Sequence, residues 1–441
     1  MLSSKKLWQV LSLLVVIAFA LAACGGGEAP APTEAPSGEE TGGEEEPRTV
    51  TIFGAFVDED ARRFEASMEP FEEETGIEVE YEGSGDFETL ILVRIEGDDP
   101  PDIAAHPQPG LLQNFVEQGH VIDLNDWFED DYLQQQYQQS WLDLATMDGQ
   151  MSGVWYRASV KSLVWYPVPE FEEAGYEIPT TWDEMLALSD QMVADGGVPW
   201  CIGIESSGAT GWVATDWMED IMLRTQPAEK YDQWTTGELP FNSPEVKNAA
   251  EIMGNIWFNE DYVLGGTAAI LTTPFGDAPT PMFDQPPSCW LHRQASFIPA
   301  FFPDDVTVGE DVDFFYLPPI QPDEHPKPVL VAGDLFAAYR DRPEVRQVME
   351  YLTTGESTKA WLQSGGFVSP HEDTPLDWYP TETDRKYAEI LSSASVVRFD
   401  GSDLMPGAVG AGSFWSGMVD YVNGEDLDKV MQSIDESWPE E

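Results

Sequence analysis

The apolar positions of this chain recur with two different periods, and the switches between them mark out its elements. From Thr49 to Val57 polar and apolar residues alternate and then run apolar, as in a strand. From Asp58 onward Ala61, Phe64, Met68 and Phe71 return at helical spacing and would face a core. Gly76 stops that helix and Ile77-Glu78-Val79 begins a second strand. A helix is predicted around Phe87 to Ile95, a strand at Ile103-Ala104-Ala105 and a helix from Pro109 to Gln118. Alternation of this kind predicts a parallel sheet with right-handed crossovers.

The stretch from Lys161 to Met192 is the most sharply punctuated. Ser162 to Tyr166 is a short apolar, β-branched and aromatic run stopped by Pro167, which suits a central strand. Thr181, three places before Glu184, forms a capping box for a helix with Trp182, Met185, Leu186, Ser189, Met192 and Val193 on one face. Phe314 to Leu317 and Val329 to Phe336 read as strands, Pro343 opens a helix, and Trp361 to Trp438 reads as helices. No internal repeat of solenoid period is found.

The first 47 residues break the pattern. Lys5 and Lys6 precede an apolar run from Leu7 to Ala23, the layout of a secretory signal, and Leu21-Ala22-Ala23-Cys24 resembles a bacterial lipobox with Cys24 as the lipidated residue. Gly25 to Pro47 holds Gly, Pro, Glu, Ser and Thr with no large apolar side chain, and is expected to be an extended, disordered acidic linker. About 390 residues then remain, enough for two lobes. With Cys24 assigned to lipid, Cys201 and Cys289 are left as a pair, either a disulfide of a secreted protein or two separate buried thiols, and a disulfide is expected.

The formal charge of -60 excludes a basic patch that could neutralise phosphates, so no nucleic-acid partner is expected. An acidic surface suits a saline habitat or a well-solvated outer face equally. Five histidines without a His-x-x-x-His motif give no zinc hydrolase, and no metal or other cofactor is expected. There is no Gly-x-x-x-x-Gly-Lys phrase, so an ATPase would be another subunit.

The words at 71–79, 100–105, 153–186, 199–220 and 413–415 resemble the family 1 extracellular solute-binding proteins of carbohydrate ABC transporters, in a subgroup like the α-glucoside-binding lipoproteins. Pro167 stands where that family usually has Asn. The resemblance implies an α/β, two-lobed, periplasmic-binding-protein-like fold of type II with a hinged cleft. It implies a signal peptide at 1–23, a lipid-anchored linker at 24–47, a first lobe from 48–159 and 312–354, and a second from 160–311 and 355–441, with crossings near Ser159, Asp311 and Thr354. It also implies a monomer held at the outer face of the cytoplasmic membrane or in the periplasm, working with ABC permease subunits and capturing rather than transforming a di- or oligosaccharide.

A sugar offers an apolar C–H face and a rim of hydroxyls, so it needs aromatic platforms with polar groups around them. Trp212, Trp290 and Trp415 lie in Gly-, Ser- or Pro-rich loops and are the candidate platforms, and the resemblance places a stacking aromatic at Phe414-Trp415. Trp155, Trp165 and Trp182 are expected in the core. For the polar rim the candidates are Asp334, where the Val329 to Ala332 strand is expected to end, and Asp216, Lys161, Gln108 and Asp58; His106 follows a strand end. Two alternatives stay open: a polyamine or other cation in a negative aromatic cleft, and a secreted glycoside hydrolase built on a carboxylate pair; phosphorylated or sulfated sugars are disfavoured by the scarcity of Arg and Lys, which a single cleft Arg such as Arg157 could overturn.

Overall fold

The computed structural model describes residues 48–129 and 131–439. The signal, the lipidation candidate Cys24 and the linker fall outside the described residues. In chain order the strands of two sheets are Thr49–Gly54 (β1), Glu78–Gly83 (β2), Ile103–His106 (β3), Val154–Val160 (β4), Leu163–Pro167 (β5), His292–Arg293 (β6), Val312–Tyr316 (β7), Pro328–Ala338 (β8) and Val396–Phe399 (β9).

β1 pairs in parallel with β2 on one side and β3 on the other, as the alternating pattern predicts. The helix Asp58–Thr75 (α1) supplies the first crossover and ends on Gly76 at φ 66°, a left-handed cap that glycine takes without strain. The helix Phe87–Glu96 (α2) supplies the second, burying Phe87, Ile91 and Ile95 at four-residue spacing. The sheet is not parallel throughout. β8 runs antiparallel to β3 and to β4, with β9 parallel beside its first half. The reason is the route of the chain: it leaves this sheet after β4 and re-enters as β8 from the opposite end.

β5 is the central strand of the second sheet, antiparallel to β6 and β7. Both faces are covered, which explains why its run is continuously apolar. Trp165 packs with Phe302 and Phe314, while Val164 and Phe315 face a second core of helices. The helix Trp182–Ala194 (α3) buries Trp182, Met185, Leu188, Ser189 and Met192, and both hydrogen bonds of its capping box are made by Thr181 and Glu184. The helix Trp212–Thr225 (α4) is buried along nearly its whole length and packs Trp217 between Trp200 and Trp257.

Two apolar cores result, one around β1, β4 and β8, the other around α4 and the helices packed on it. The chain crosses between them at Lys161-Ser162, where β4 gives way to β5. For the other two crossings we propose places other than those expected. β7, expected in the first lobe, pairs with β5, so the return lies between Tyr316 and Pro328. Of residues 355–399, expected in the second lobe, the helix Gly355–Gln363 (α5) packs Trp361 against Phe56 and Tyr156 and β9 pairs with β8 of the first sheet, while the helix Glu382–Ser392 (α6) stacks Tyr387 on Phe314 of β7. We propose that the last crossing lies at Asp400-Gly401. Cys201 and Cys289 form a disulfide across 88 residues, with Cα atoms 5.5 Å apart. Among the described residues no helix is long and apolar enough to cross a membrane.

Candidate functional site

A cavity of about 310 Å3 lies between the two cores. From the first lobe it receives the loops just past the carboxyl ends of three parallel strands: Ala55 to Val57 after β1, Ser84-Gly85 after β2 and Pro107-Gln108 after β3. An open α/β sheet leaves its crevice at this edge. β4 adds Arg157 and Ser159, and Lys161 follows just past its end, the three spaced two apart so that they point to one side of the extended chain. The second lobe adds Trp212 at the start of α4, Phe275, Phe297 and Phe301 from loops, Asp400 to Asp403 from the last crossing, and Trp415, the first residue of the helix Trp415–Val422 (α7).

Two local devices bring the tryptophans and Asp334 into place. Gly211 has φ 117°, and a Cβ there would lie 2.2 Å from the Trp415 carbonyl oxygen. Only glycine lets the start of α4 come so close to α7, so Trp212 and Trp415 share one wall. A π-helical segment, Val409–Phe414, leads into Trp415; such segments re-phase a helix by a residue and are frequent at functional sites. Asp334 does not end its strand as expected. It sits mid-way in β8 at a register shift, after Gly333, where a Cβ would meet the Arg157 carbonyl oxygen at 2.7 Å. The extra residue is Tyr156 on β4, opposite the step from Asp334 to Leu335, so the bulge lies beside the Arg157–Asp334 pair.

The charges of the wall form two closed groups. Arg157 donates to Asp334 Oδ2 at 2.7 Å and to Asp60 Oδ2 at 2.8 Å, and its guanidinium lies over the rings of Phe56 and Trp361 at 4.4 and 4.9 Å. Burial pushes the Asp60 carboxyl up, opposed by Arg157, while Arg157 is held charged by Asp334 and Asp60 against its own burial. In the second group Lys161 Nζ donates to Asp216 at 2.8 Å and to Asp400, and stands 5.3 Å from the centre of the Trp212 ring. Behind it Arg293 bonds Asp216 and Asp220, and Arg224 bonds Asp220 at 2.6 Å.

That group brings five carboxyls, Asp216, Glu219, Asp220, Asp400 and Asp403, against three cations, Lys161, Arg224 and Arg293. Burial, reinforced by Asp400, pushes Glu219 and Asp403 well above the usual carboxyl range, and burial also raises Asp216 to about 7 against the pull of Lys161 and Arg293. Asp400 goes the other way, to about 2, because Lys161 outweighs its burial. Asp216, Glu219 and Asp400 lie within 4.8 Å of one another, close enough to hold a cation, but the Lys161 ammonium already sits against two of them. Burial also raises Glu88 to about 7; it accepts from Gln108 Nε2 at 3.0 Å.

Three buried polar atoms of cavity-lining side chains have no hydrogen-bond partner in the protein: Asp60 Oδ1, Gln108 Oε1 and Trp415 Nε1. They offer two acceptors and one donor beside aromatic surface, a combination suited to a hydroxylated molecule with an apolar face.

Of the residues singled out from the sequence, Trp212, Trp415, Asp334, Lys161 and Gln108 line this cavity. Asp216 lies one layer behind, under Lys161. Trp290 does not line it; its ring packs edge-on against Tyr176 at the rim of the second core. Asp58 is the exposed first residue of α1, and Asp60, two residues on, is the one turned inward. His106 is buried against the Tyr339 hydroxyl at 2.8 Å, and burial lowers it to about 3, so it stays neutral. Asp60, Glu88, Asp400 and Asp403 were not anticipated. The Asp-Gly-Ser-Asp phrase at 400–403 carried a signal, since Asp400 accepts from the Asp403 backbone N–H in a local cap.

The sequence pattern of bacterial extracellular solute-binding proteins matches residues 52–359. The osmoprotective compounds-binding protein GgtB of Synechocystis sp. is 49% identical over 397 residues, 90% of this chain and 94% of that protein. The alpha-glucosides-binding periplasmic protein AglE of Rhizobium meliloti is 44% identical over 403 residues, 89% and 87% of the two chains. Among solved structures, the bacterial solute receptor AcbH, described as preferring β-D-galactopyranose exclusively, superposes with a TM-score of 0.77 at 19% identity, covering 88% of this chain and 97% of its own.

Proposed function

The chain belongs to the bacterial extracellular solute-binding protein family, and on that premise we propose that it is the capturing subunit of an ABC importer for a neutral α-glucoside of about two sugar rings. The observation that carries this reading is the set of buried polar atoms without a protein partner, Asp60 Oδ1, Gln108 Oε1 and Trp415 Nε1, beside the rings of Trp212 and Trp415. Asp60 and Asp334 are tied to Arg157, Asp216 and Asp400 to Lys161, and Glu88 and Asp403 hold protons more readily than ordinary carboxyls. The basic side chains Arg157 and Lys161 are already engaged by these acids, so much of the wall's negative charge faces a resident cation. Two acceptors, one donor and flat rings remain free, which is what a sugar recognises.

In this reading Trp212 and Trp415 stack on the sugar, Gln108, Asp60 and Trp415 Nε1 meet its hydroxyls, and Asp334 and Lys161 hold the wall in shape. A volume of about 310 Å3 lies at the lower end of small-molecule sites, roughly 300–1,000 Å3, which favours a short ligand. The sugar is bound and released unchanged, and the lobes close on it because the closed form makes contacts that the open one lacks. Delivery is to permease subunits with a separate ATPase, from a position outside the cytoplasmic membrane held by a lipid on Cys24, the body acting as a monomer.

Calorimetry with maltose, trehalose and spermidine tests the proposal directly. Binding of an α-glucoside without detectable heat from spermidine is expected, and the reverse order would overturn it. Incubation with aryl glucosides is expected to give no hydrolysis; turnover that follows the purified protein would return the hydrolase reading.

A further inference from the structure

The large apolar side chains left exposed are unevenly placed. Among the described residues there are seven, and three of them, Leu90, Leu92 and Val93, fall within four positions of α2, with Val93 60% exposed. With about 3.6 residues per turn, these three spread over the outward half of the helix, with only Thr89 and Glu96 among them. The inward half needs none of them, because Phe87, Ile91 and Ile95 already fill the core contact. A surface helix of a solitary protein carries polar residues on this side. An apolar patch on an otherwise acidic surface marks a place where another surface sits.

Its surroundings say which kind. Exposed Glu96 falls between Leu92 and Val93 around the helix, exposed Asp98 and Asp99 follow its end, and Arg94 is bound to exposed Glu82 at 2.6 Å. The complementary surface is therefore apolar with basic groups set to meet these acids. A second copy of this chain, equally acidic, does not meet that description. α2 is also the helix that joins the two lobes at the mouth of the cleft. Glu88 in its first turn lines the cavity, and the carboxylate of Asp86, just before it, accepts from the backbone N–H of Gly208 in the second lobe at 2.9 Å. A protein seated on Leu90, Leu92 and Val93 therefore rests on the helix whose first turn reaches the cleft.

We propose that the outer face of α2 is the docking surface for the membrane-embedded permease, whose matching segment presents an apolar side chain flanked by Lys or Arg. The proposal rests on the solute-capture reading for its partner, and its test is separable from it. The lipid-free body, residues 48–441, is applied to nanodiscs carrying the importer and to empty nanodiscs of the same lipid, and binding is measured by interferometry without sugar. The variants are Leu90→Gln combined with Val93→Gln, and separately Glu96→Lys; Leu376→Gln, at an exposed apolar position elsewhere (67%), is the control. Melting temperature and calorimetric affinity for maltose or trehalose are recorded for each, so that a fault in folding or in the sugar site is seen on its own.

The expected result is at least tenfold weaker binding to importer nanodiscs for the double variant and for Glu96→Lys, with melting temperature and sugar affinity unchanged and the control like the wild type. Binding should also weaken as salt is raised. Unchanged binding of the double variant overturns the proposal, as does wild-type binding that is equal on empty discs, which would make the partner lipid. A wild-type dimer abolished by the double variant would also overturn it by making the occupant a second copy. Absence of sugar heat with intact importer binding would instead fault the reading of the cavity.

Discussion

Trp415 presents both a ring and an unpartnered Nε1 to the cavity, and two substitutions separate their contributions. Trp415→Phe keeps ring surface and removes the donor, so sugar affinity is expected to fall by about 1 kcal/mol, roughly fivefold. Trp415→Ala removes both, with an expected loss of about 2 kcal/mol, roughly thirtyfold. Equal losses in calorimetry would show that the ring surface contributes nothing. Glu88 makes a different prediction. Burial raises its carboxyl from 4.5 to about 7, so the folded chain holds this proton more tightly than the unfolded chain does. The resulting stabilisation is complete below the unfolded value and is lost as pH rises through about 7. Glu88→Gln, neutral at every pH, is expected to flatten the decline of melting temperature between about pH 5 and 8, and a steeper decline would refute the assignment. Lys161, Gln108 and Trp212 could be read from the sequence because each follows a strand end or a Gly-rich turn. Trp290 sits in a loop with the same local signature, and only packing reveals that its ring belongs to Tyr176. Among 81 acids, nothing local distinguishes Asp60 or Asp403, because desolvation is a property of the assembled wall.

At the level of elements, α3 provides the plainest test. Glu184 N donates to Thr181 Oγ1 at 3.2 Å while Thr181 N donates to Glu184 Oε2 at 3.1 Å. Thr181→Ala should lower stability by about 1 kcal/mol, seen as a shift of the denaturant midpoint with unchanged slope. A changed slope would mean that the two lobes no longer unfold together. This helix, α1 with its glycine cap and β5 with its proline stop were legible because their signals are local: a cap, a turn residue, a period. The direction of β8 was not. Its Val329 to Phe336 pattern is the same read either way, and its antiparallel setting between β3 and β4 depends on where the chain has been in the preceding 160 or so residues. The same holds for β7 and for 355–399, whose apolar residues announce burial without saying in which core.

For the whole molecule, the question is what holds two acidic halves together around a neutral solute. The direct polar link at the rim is the Asp86 carboxylate on the Gly208 N–H, and Gly208 leaves no room for a bulkier approach, since a Cβ would lie 3.0 Å from Asp86 Oδ1. Asp86→Ala should therefore reduce sugar affinity by about 1 kcal/mol and leave the sugar-free scattering profile more extended than that of the wild type. The formal charge of -60 works against closure, because acids on facing lobes repel each other as they approach. Salt screens that repulsion, with a screening length of about 10 Å at 0.1 M and about 3 Å at 1 M. A neutral sugar has no charge of its own to be screened, so raising salt over this range should strengthen its binding by making closure easier. A cationic solute would behave oppositely, because the attraction that draws it into an acidic cleft is itself screened. The sign of the salt dependence, measured by calorimetry on one purified sample, thus reports both on closure and on the class of solute, and an affinity for maltose or trehalose that falls with salt would contradict both.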